Sequence, residues 1–266
     1  MLGHQLSGTA QRFIGVLVLI PIIIAVWIDV KIAGIVVSIL ALGMAYEFSK
    51  MLKIPAIIAI SLTLLIALQS MPAWVFDAGF AWHCGLVAMS FCITIMYRGV
   101  LAGLFVIAVS ICLYFSTLLL NQTDGNCLLL ALAAVVAACD SAAYFIGRSV
   151  GGVKLAPLVS PNKTVSGSVG GIVAAMSVMA SLAGVSALAP ITVLGPMNGL
   201  DVGVALFLGC GIAILSQIGD LMESALKRRL NVKDSGSILP GHGGLLDRFD
   251  GYLFTVPGFY LFFFVI

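Results

Sequence analysis

The chain is 266 residues long, 61% hydrophobic and 9% charged, with a formal net charge of +2. Its mean hydropathy is +1.18, whereas about a quarter of an ordinary soluble chain is charged. A soluble domain of this length cannot bury so much apolar surface in one core, so the soluble classes are excluded and no nucleic-acid partner is expected. Lipid cannot hydrogen-bond the backbone, so only helices or closed barrels span it. The apolar runs are long and do not alternate, which selects helices. The expected fold is an all-α polytopic integral membrane protein.

Nine transmembrane helices are predicted, at about 13–28, 32–49, 54–71, 78–97, 100–120, 127–147, 166–188, 202–226 and 251–266. The first run follows Arg12 and resembles a signal peptide, but no small-x-small cleavage site precedes Asp29, so a retained first span is expected. With the N-terminus in the cytoplasm and the C-terminus outside, 12 of the 13 lysines and arginines fall on the cytoplasmic side and only Lys31 falls outside. The outer connections carry Asp29, Asp77, Asp124 and Asp201 instead. This segregation follows the positive-inside rule and is independent of hydropathy. The chain is read as a single transmembrane domain, 1–266, with 1–120 mainly scaffold and 121–266 holding the catalytic helices and loops. The six cysteines are scattered without metal-ligand spacing and are read as buried small hydrophobes. Small residues crowd the seventh and eighth spans, as close helix packing in lipid requires.

Near the cytoplasmic end of the second span, Glu47 stands beside Tyr46. It is expected either to close a polar cavity or to pair with a base. The sixth span carries Asp140, Tyr144 and Arg148 at i, i+4 and i+8, a polar stripe leading to the loop that holds Asn162 and Lys163. An acid within a span costs about 2.5 kcal/mol or more, so Asp140 is read as lining a polar site. Asn162 and Lys163 are expected to bind phosphate or a lipid headgroup.

Charge concentrates in Ser216 to Asp250, which holds five of the 11 acidic residues. Ser216, Asp220, Glu223 and Lys227 share one helix face, with Arg228 beside it. Asp220 is too short to snorkel to the surface, which marks it as functional. Beyond the helix come Lys233, Asp234, Ser235 and Gly236, then Pro240, Gly241, His242, Gly243 and Gly244. Glycines let backbone N–H groups approach an anion and lysines bring positive charge, so this run is read as a phosphate cradle. Asp247 and Asp250 follow with Arg248 between them. If the chain folds back, Asp247 approaches Asp220, and two carboxylates from different elements are a usual way of holding Mg²⁺. Mg²⁺ with lysines and glycine-rich backbone is equipment for phosphoryl or nucleotidyl transfer.

The run from Ser224 to Asp250 resembles the signature of the phosphatidate cytidylyltransferases (CDP-diacylglycerol synthases). The matching residues are Ser224, Leu226, Lys227, Arg228, Lys233, Asp234, Gly236, Leu239, Pro240, His242, Gly243, Gly244, Leu245, Asp247, Arg248, Phe249 and Asp250. Looser likeness extends to Asp140–Phe145, Ser160–Thr164 and Tyr46–Glu47. The resemblance implies that CTP and phosphatidate react, with Mg²⁺, to give CDP-diacylglycerol and pyrophosphate in a bacterial inner membrane. It implies that Asp220 and Asp247 bind the metal, and that Lys227, Lys233, His242 and Arg248 lie near the phosphates. It also implies a homodimer and a second, monovalent cation such as K⁺. On this reading the catalytic set is Asp220, Asp247, Lys227, Lys233 and His242. Asn162, Lys163, Asp140, Glu223, Arg228, Asp234, Ser235, Gly243, Gly244, Arg248 and Asp250 bind substrate. Competing readings are a CTP-dependent polyprenol kinase and, from another class, a transporter. The transporter is disfavoured because the charge sits at one end of the spans rather than at the midplane.

Overall fold

A computed structural model describes residues 20–70, 79–188, 197, 200–236, 238–239 and 243–265. Residues 20–28 are helical and form α1. There follow α2 (Val30–Met51), α3 (Ala56–Leu68), α4 (Phe80–Arg98), α5 (Val100–Leu120) and α6 (Gly125–Val150). Two short strands, β1 (Lys154–Ala156) and β2 (Ser160–Thr164), precede α7 (Val165–Leu188) and α8 (Val202–Arg229). The short α9 (Leu246–Phe249) leads into α10 (Tyr252–Phe264). Among the described residues, α2 and α4 to α8 are long and apolar enough to cross a membrane, and α3 is a shorter apolar helix. The protein is an all-α polytopic membrane protein. A two-stranded β ribbon stands where the sequence was read as a loop.

The helix ends explain the sorting of charge. Asp29 caps α2, its Oδ1 accepting from the N–H groups of Lys31 at 2.7 Å and Ile32 at 3.2 Å. Asp201 caps α8 in the same way, accepting from Gly203 N–H at 2.8 Å and Val204 N–H at 3.3 Å. Lys50, Arg148 and the run Lys227–Arg229 fall in the last turns of α2, α6 and α8. Acids at the starts and bases at the ends satisfy free backbone N–H groups and complement the helix dipoles. Asp77 lies outside the described residues.

The helices that carry polar stripes pack closely because small residues face each other. A Cβ on Gly209 of α8 would lie 2.7 Å from the Cα of Met176 on α7. One on Gly171 of α7 would lie 2.9 Å from the carbonyl oxygen of Cys139 on α6. On the other side of the bundle, Phe48 of α2 stacks on Phe105 of α5 with ring centroids 5.4 Å apart. Leu132, Met179, Ile212 and Phe259 are fully buried at the centre. Ile57, Met96 and Phe207 are exposed on the outer surface, where lipid is the natural solvent for them.

The β ribbon joins α6 to α7. Its strands pair antiparallel, Lys154 with Thr164 and Ala156 with Ser160. This pairing folds the Asn162–Lys163 segment back over the end of α8, where the nucleotide chemistry was expected.

Candidate active site

The ends of α6, α7 and α8, the ribbon and the segment after α8 enclose a cavity of about 1140 Å³. Of the residues singled out from sequence, Asp140, Asn162, Lys163, Asp220, Lys227, Asp234, Gly243, Asp247, Arg248 and Asp250 all line it. Residues distant in sequence thus meet in one polar space. The fold-back that brings Asp247 to the wall carrying Asp220 follows from the chain reversing between α8 and α10.

Two lysines organise the carboxylates. Lys163, carried in by β2, forms an ion pair with Asp220, whose Oδ1 also accepts from Ser224 Oγ at 3.3 Å. Lys227 donates to Glu223 Oε2 and to Asp247 Oδ1, each at 2.7 Å. Glu223 is fully buried, so it serves as the inner anchor of Lys227 rather than as a wall residue.

Asp247 is the most heavily hydrogen-bonded acid of the site. Besides Lys227, it accepts from Ser235 N–H at 3.0 Å and from Gly244 N–H at 2.8 Å. Burial pushes its carboxyl pKa upward, but Lys227 and the N–H groups of Gly244 and Ser235 outweigh that and hold it below the usual value. Asp250 behaves oppositely. Burial, then the negative charges of Asp220 and Glu223, raise it well above the usual carboxylate range. Two of the cavity's acids are thus shifted in opposite directions, Asp247 downward by its donors and Asp250 upward by burial and like charge.

The glycine-rich segment is built differently from the phosphate cradle expected of it. Ser235 and Gly244 are buried and their N–H groups serve Asp247, as above. Gly236 and Gly244 lie against the carboxylate of Glu47, which occupies the space a Cβ would need. Gly243 does reach the cavity and adopts φ +84°, a left-handed conformation that favours glycine. Leu239 and Gly243 form an isolated bridge that closes the loop. His242 lies outside the described residues.

Other expectations are redirected. Glu47 is not among the lining residues and, among the described residues, pairs with no base; it accepts hydrogen bonds from Ser235 Oγ at 3.3 Å, Ile238 N–H at 3.4 Å and Leu246 N–H at 2.9 Å. Arg228 points to the ribbon, its Nε donating to the carbonyl of Val159 at 3.2 Å; it braces that wall instead of lining the cavity. Lys233 is exposed and is not among the lining residues. Lys154 and Ser168 do line the cavity but were not picked out from sequence. Ser168 donates to Gln217 Oε1 across the α7–α8 contact. Its only sequence signal was a place in a small-residue stripe, which reads equally well as packing.

Fold and site together define a helical integral membrane protein with a cluster of acidic and basic side chains in one cleft at the basic ends of its helices. The chain belongs to the cytidylyltransferase family, whose sequence profile matches residues 10–266. It is 33% identical over 265 residues to a phosphatidate cytidylyltransferase of Staphylococcus saprophyticus, covering 94% of this chain and 95% of that one. It is 48% identical over 126 residues to the protein of that name from Bacillus subtilis, a match spanning 47% of this chain and 43% of the other. A phosphatidate cytidylyltransferase of Brucella suis is 44% identical over 164 residues, 60% of this chain and 55% of its own.

Proposed function

We propose that the protein is a phosphatidate cytidylyltransferase, converting CTP and phosphatidate to CDP-diacylglycerol and pyrophosphate. The observation that carries this reading is the meeting of Lys163, Lys227, Asp220 and Asp247 in one cavity, on a chain of the cytidylyltransferase family. The site is read as facing the cytoplasm of a bacterial inner membrane, because the cavity lies where α2, α6 and α8 end in basic residues.

The phosphate monoester of phosphatidate is already anionic near neutral pH, so its attack on the α-phosphorus of CTP needs no strong base. A P–O bond forms to the lipid phosphate, the bond to the bridging oxygen of the β-phosphate breaks, and pyrophosphate leaves with the electron pair. The difficulty is bringing two anions together and accepting charge on the leaving group. Lys154, Lys163, Lys227 and Arg248 bring positive charge to the cavity wall for both tasks. Asp220 and Asp247 hold the two central lysines in place before substrate arrives.

Mg²⁺ is proposed to bind at Asp220 and Asp247. Both offer carboxylate oxygens, the donors a hard cation takes, from two separate elements facing one cavity; Lys163 and Lys227 pair with them here, so a bound ion would take the place of those lysines. When bound, the metal would neutralise phosphate charge and stabilise the leaving pyrophosphate.

The test is an assay of purified protein with phosphatidate, Mg²⁺ and CTP labelled at either the α- or the γ-phosphorus. Retention of α-label in the lipid with release of pyrophosphate is expected. Transfer of γ-label with release of CDP would make the protein a lipid kinase and overturn the reading.

A further inference from the structure

Glu47 lies near the end of α2, away from the cavity wall, and is 1% exposed. A buried carboxylate is costly unless its oxygens are fully hydrogen-bonded. Among the described residues its partners are neutral and come from the segment preceding Asp247. Oε2 accepts from Ser235 Oγ at 3.3 Å and from Leu246 N–H at 2.9 Å, and Oε1 accepts from Ile238 N–H at 3.4 Å. Leu246 opens α9, so Glu47 takes up one of that short helix's free first-turn N–H groups.

The same segment faces Asp247 on its other side. Ser235 gives its hydroxyl to Glu47 and its N–H to Asp247. Gly244 gives its N–H to Asp247, and a Cβ on it would collide with Ser235 Oγ and stand 2.7 Å from Glu47 Oε2. One turn before Glu47, Gly43 leaves room for Leu245; a Cβ there would stand 2.8 Å from Leu245 Cδ2. α2 therefore grips the segment by a carboxylate and by an apolar socket, immediately before the residue that enters the site.

We propose that Glu47 is the positioning residue for Asp247: its carboxylate fixes Ser235, Ile238 and Leu246, and the backbone so held presents the Ser235 and Gly244 N–H groups that fix the Asp247 carboxylate in the cavity. The proposal gives a scaffold helix a part in the reaction. Both its oxygens are in use, so glutamine is a poor substitute, because its NH₂ group would face a donor. Aspartate keeps the charge but falls one methylene short.

The activity arm rests on the cytidylyltransferase reading; the exchange arm does not. Wild type, Glu47→Gln, Glu47→Asp and Ser235→Ala are purified as full chains and assayed for CDP-diacylglycerol formation. Hydrogen–deuterium exchange is followed on the same samples. Glu47→Gln is expected to lower kcat about tenfold or more, with KM for CTP and phosphatidate changed less than about threefold. Glu47→Asp is expected to recover part of that loss. Exchange should speed up across 232–246 while α7 stays as in wild type. Ser235→Ala removes one bond and should give the same pattern at smaller amplitude, which decides the matter if the Glu47 variants do not fold. Wild-type kcat in Glu47→Gln, or a fall in kcat with exchange in 232–246 unchanged, overturns the proposal. So does uniformly faster exchange in a folded variant. If wild type itself makes no CDP-diacylglycerol, the reading of the reaction fails, and the exchange pattern alone judges whether Glu47 holds the segment.

Discussion

Lys227 sits between Glu223 and Asp247, 2.7 Å from each, so changing any of the three alters the others. Replacing Lys227 with methionine would leave Glu223 buried without its cation. Such a loss costs about 3–5 kcal/mol, and chemical or thermal unfolding in detergent should show it. Asp220→Asn and Asp247→Asn keep the shape of the site and remove its anionic donors. Each is expected to reduce kcat/KM by about a hundredfold or more while the protein still purifies folded; near-wild-type rates in the labelled-CTP assay would contradict the roles given to these acids. Because the folded-state pKa of Asp247 is depressed, its ionised form contributes stability above the ordinary carboxylate pKa. That contribution is lost as pH falls through the folded value. The gap in melting temperature between wild type and Asp247→Asn should therefore be full near neutrality and shrink on acidification. At this scale the sequence was a good guide wherever burial is expensive. A short acid such as Asp220 in an apolar helix has few bland explanations; Asp247 followed from its place in the same charged stretch, and Lys163 from the polar stripe of α6 that leads to its loop. It misled over Gly236 and Gly244, because glycine marks only that something comes close. Whether that is a substrate phosphate or the carboxylate of Glu47 depends on a neighbour nearly two hundred residues away.

Among the elements, α8 shows how selective the small-residue stripes are. A Cβ on Gly209 meets the backbone of α7 at 2.7 Å, whereas one on Gly211 meets nothing within 4 Å. Gly209→Ala should destabilise the protein by about 1–3 kcal/mol through overpacking, while Gly211→Ala, two residues along the same helix, should stay within about 0.5 kcal/mol of wild type. Equal effects on unfolding would mean that helix propensity, not the α7–α8 contact, explains these glycines. Hydropathy found the long helices because each is a continuous apolar run. It could not find β1 and β2, which are three and five residues long and include Pro161; their pairing is a tertiary outcome with almost no local signal. The ribbon delivers Lys163 to Asp220, so the loop expected from sequence to meet phosphate or a headgroup forms one wall of the cavity, through a pairing that the sequence did not show.

Taken as a whole molecule, the protein keeps its acidic helix starts at one end and its basic helix ends, with the cavity, at the other. This polarity fixes an expected orientation. In an otherwise cysteine-free background, Lys233→Cys should react with an impermeant maleimide in inverted vesicles but not in intact cells, and Lys31→Cys should do the reverse. Labelling of both from the same side would break the proposed topology. The polarity was legible from sequence because lysine and arginine placement is selected during insertion. The pairing of spans was not, since any of several helices could present an equally apolar face.

The bonds to Glu47 also bear on how the protein comes into being. Its partners lie 188, 191 and 199 residues further along the chain. During synthesis α2 enters the membrane with an uncompensated acid and keeps it until the segment after α8 has been made. Contacts so distant in sequence are the late ones in folding. The cleft is therefore assembled at the end of biogenesis, and a chain released early carries into the bilayer a carboxylate that nothing has yet covered.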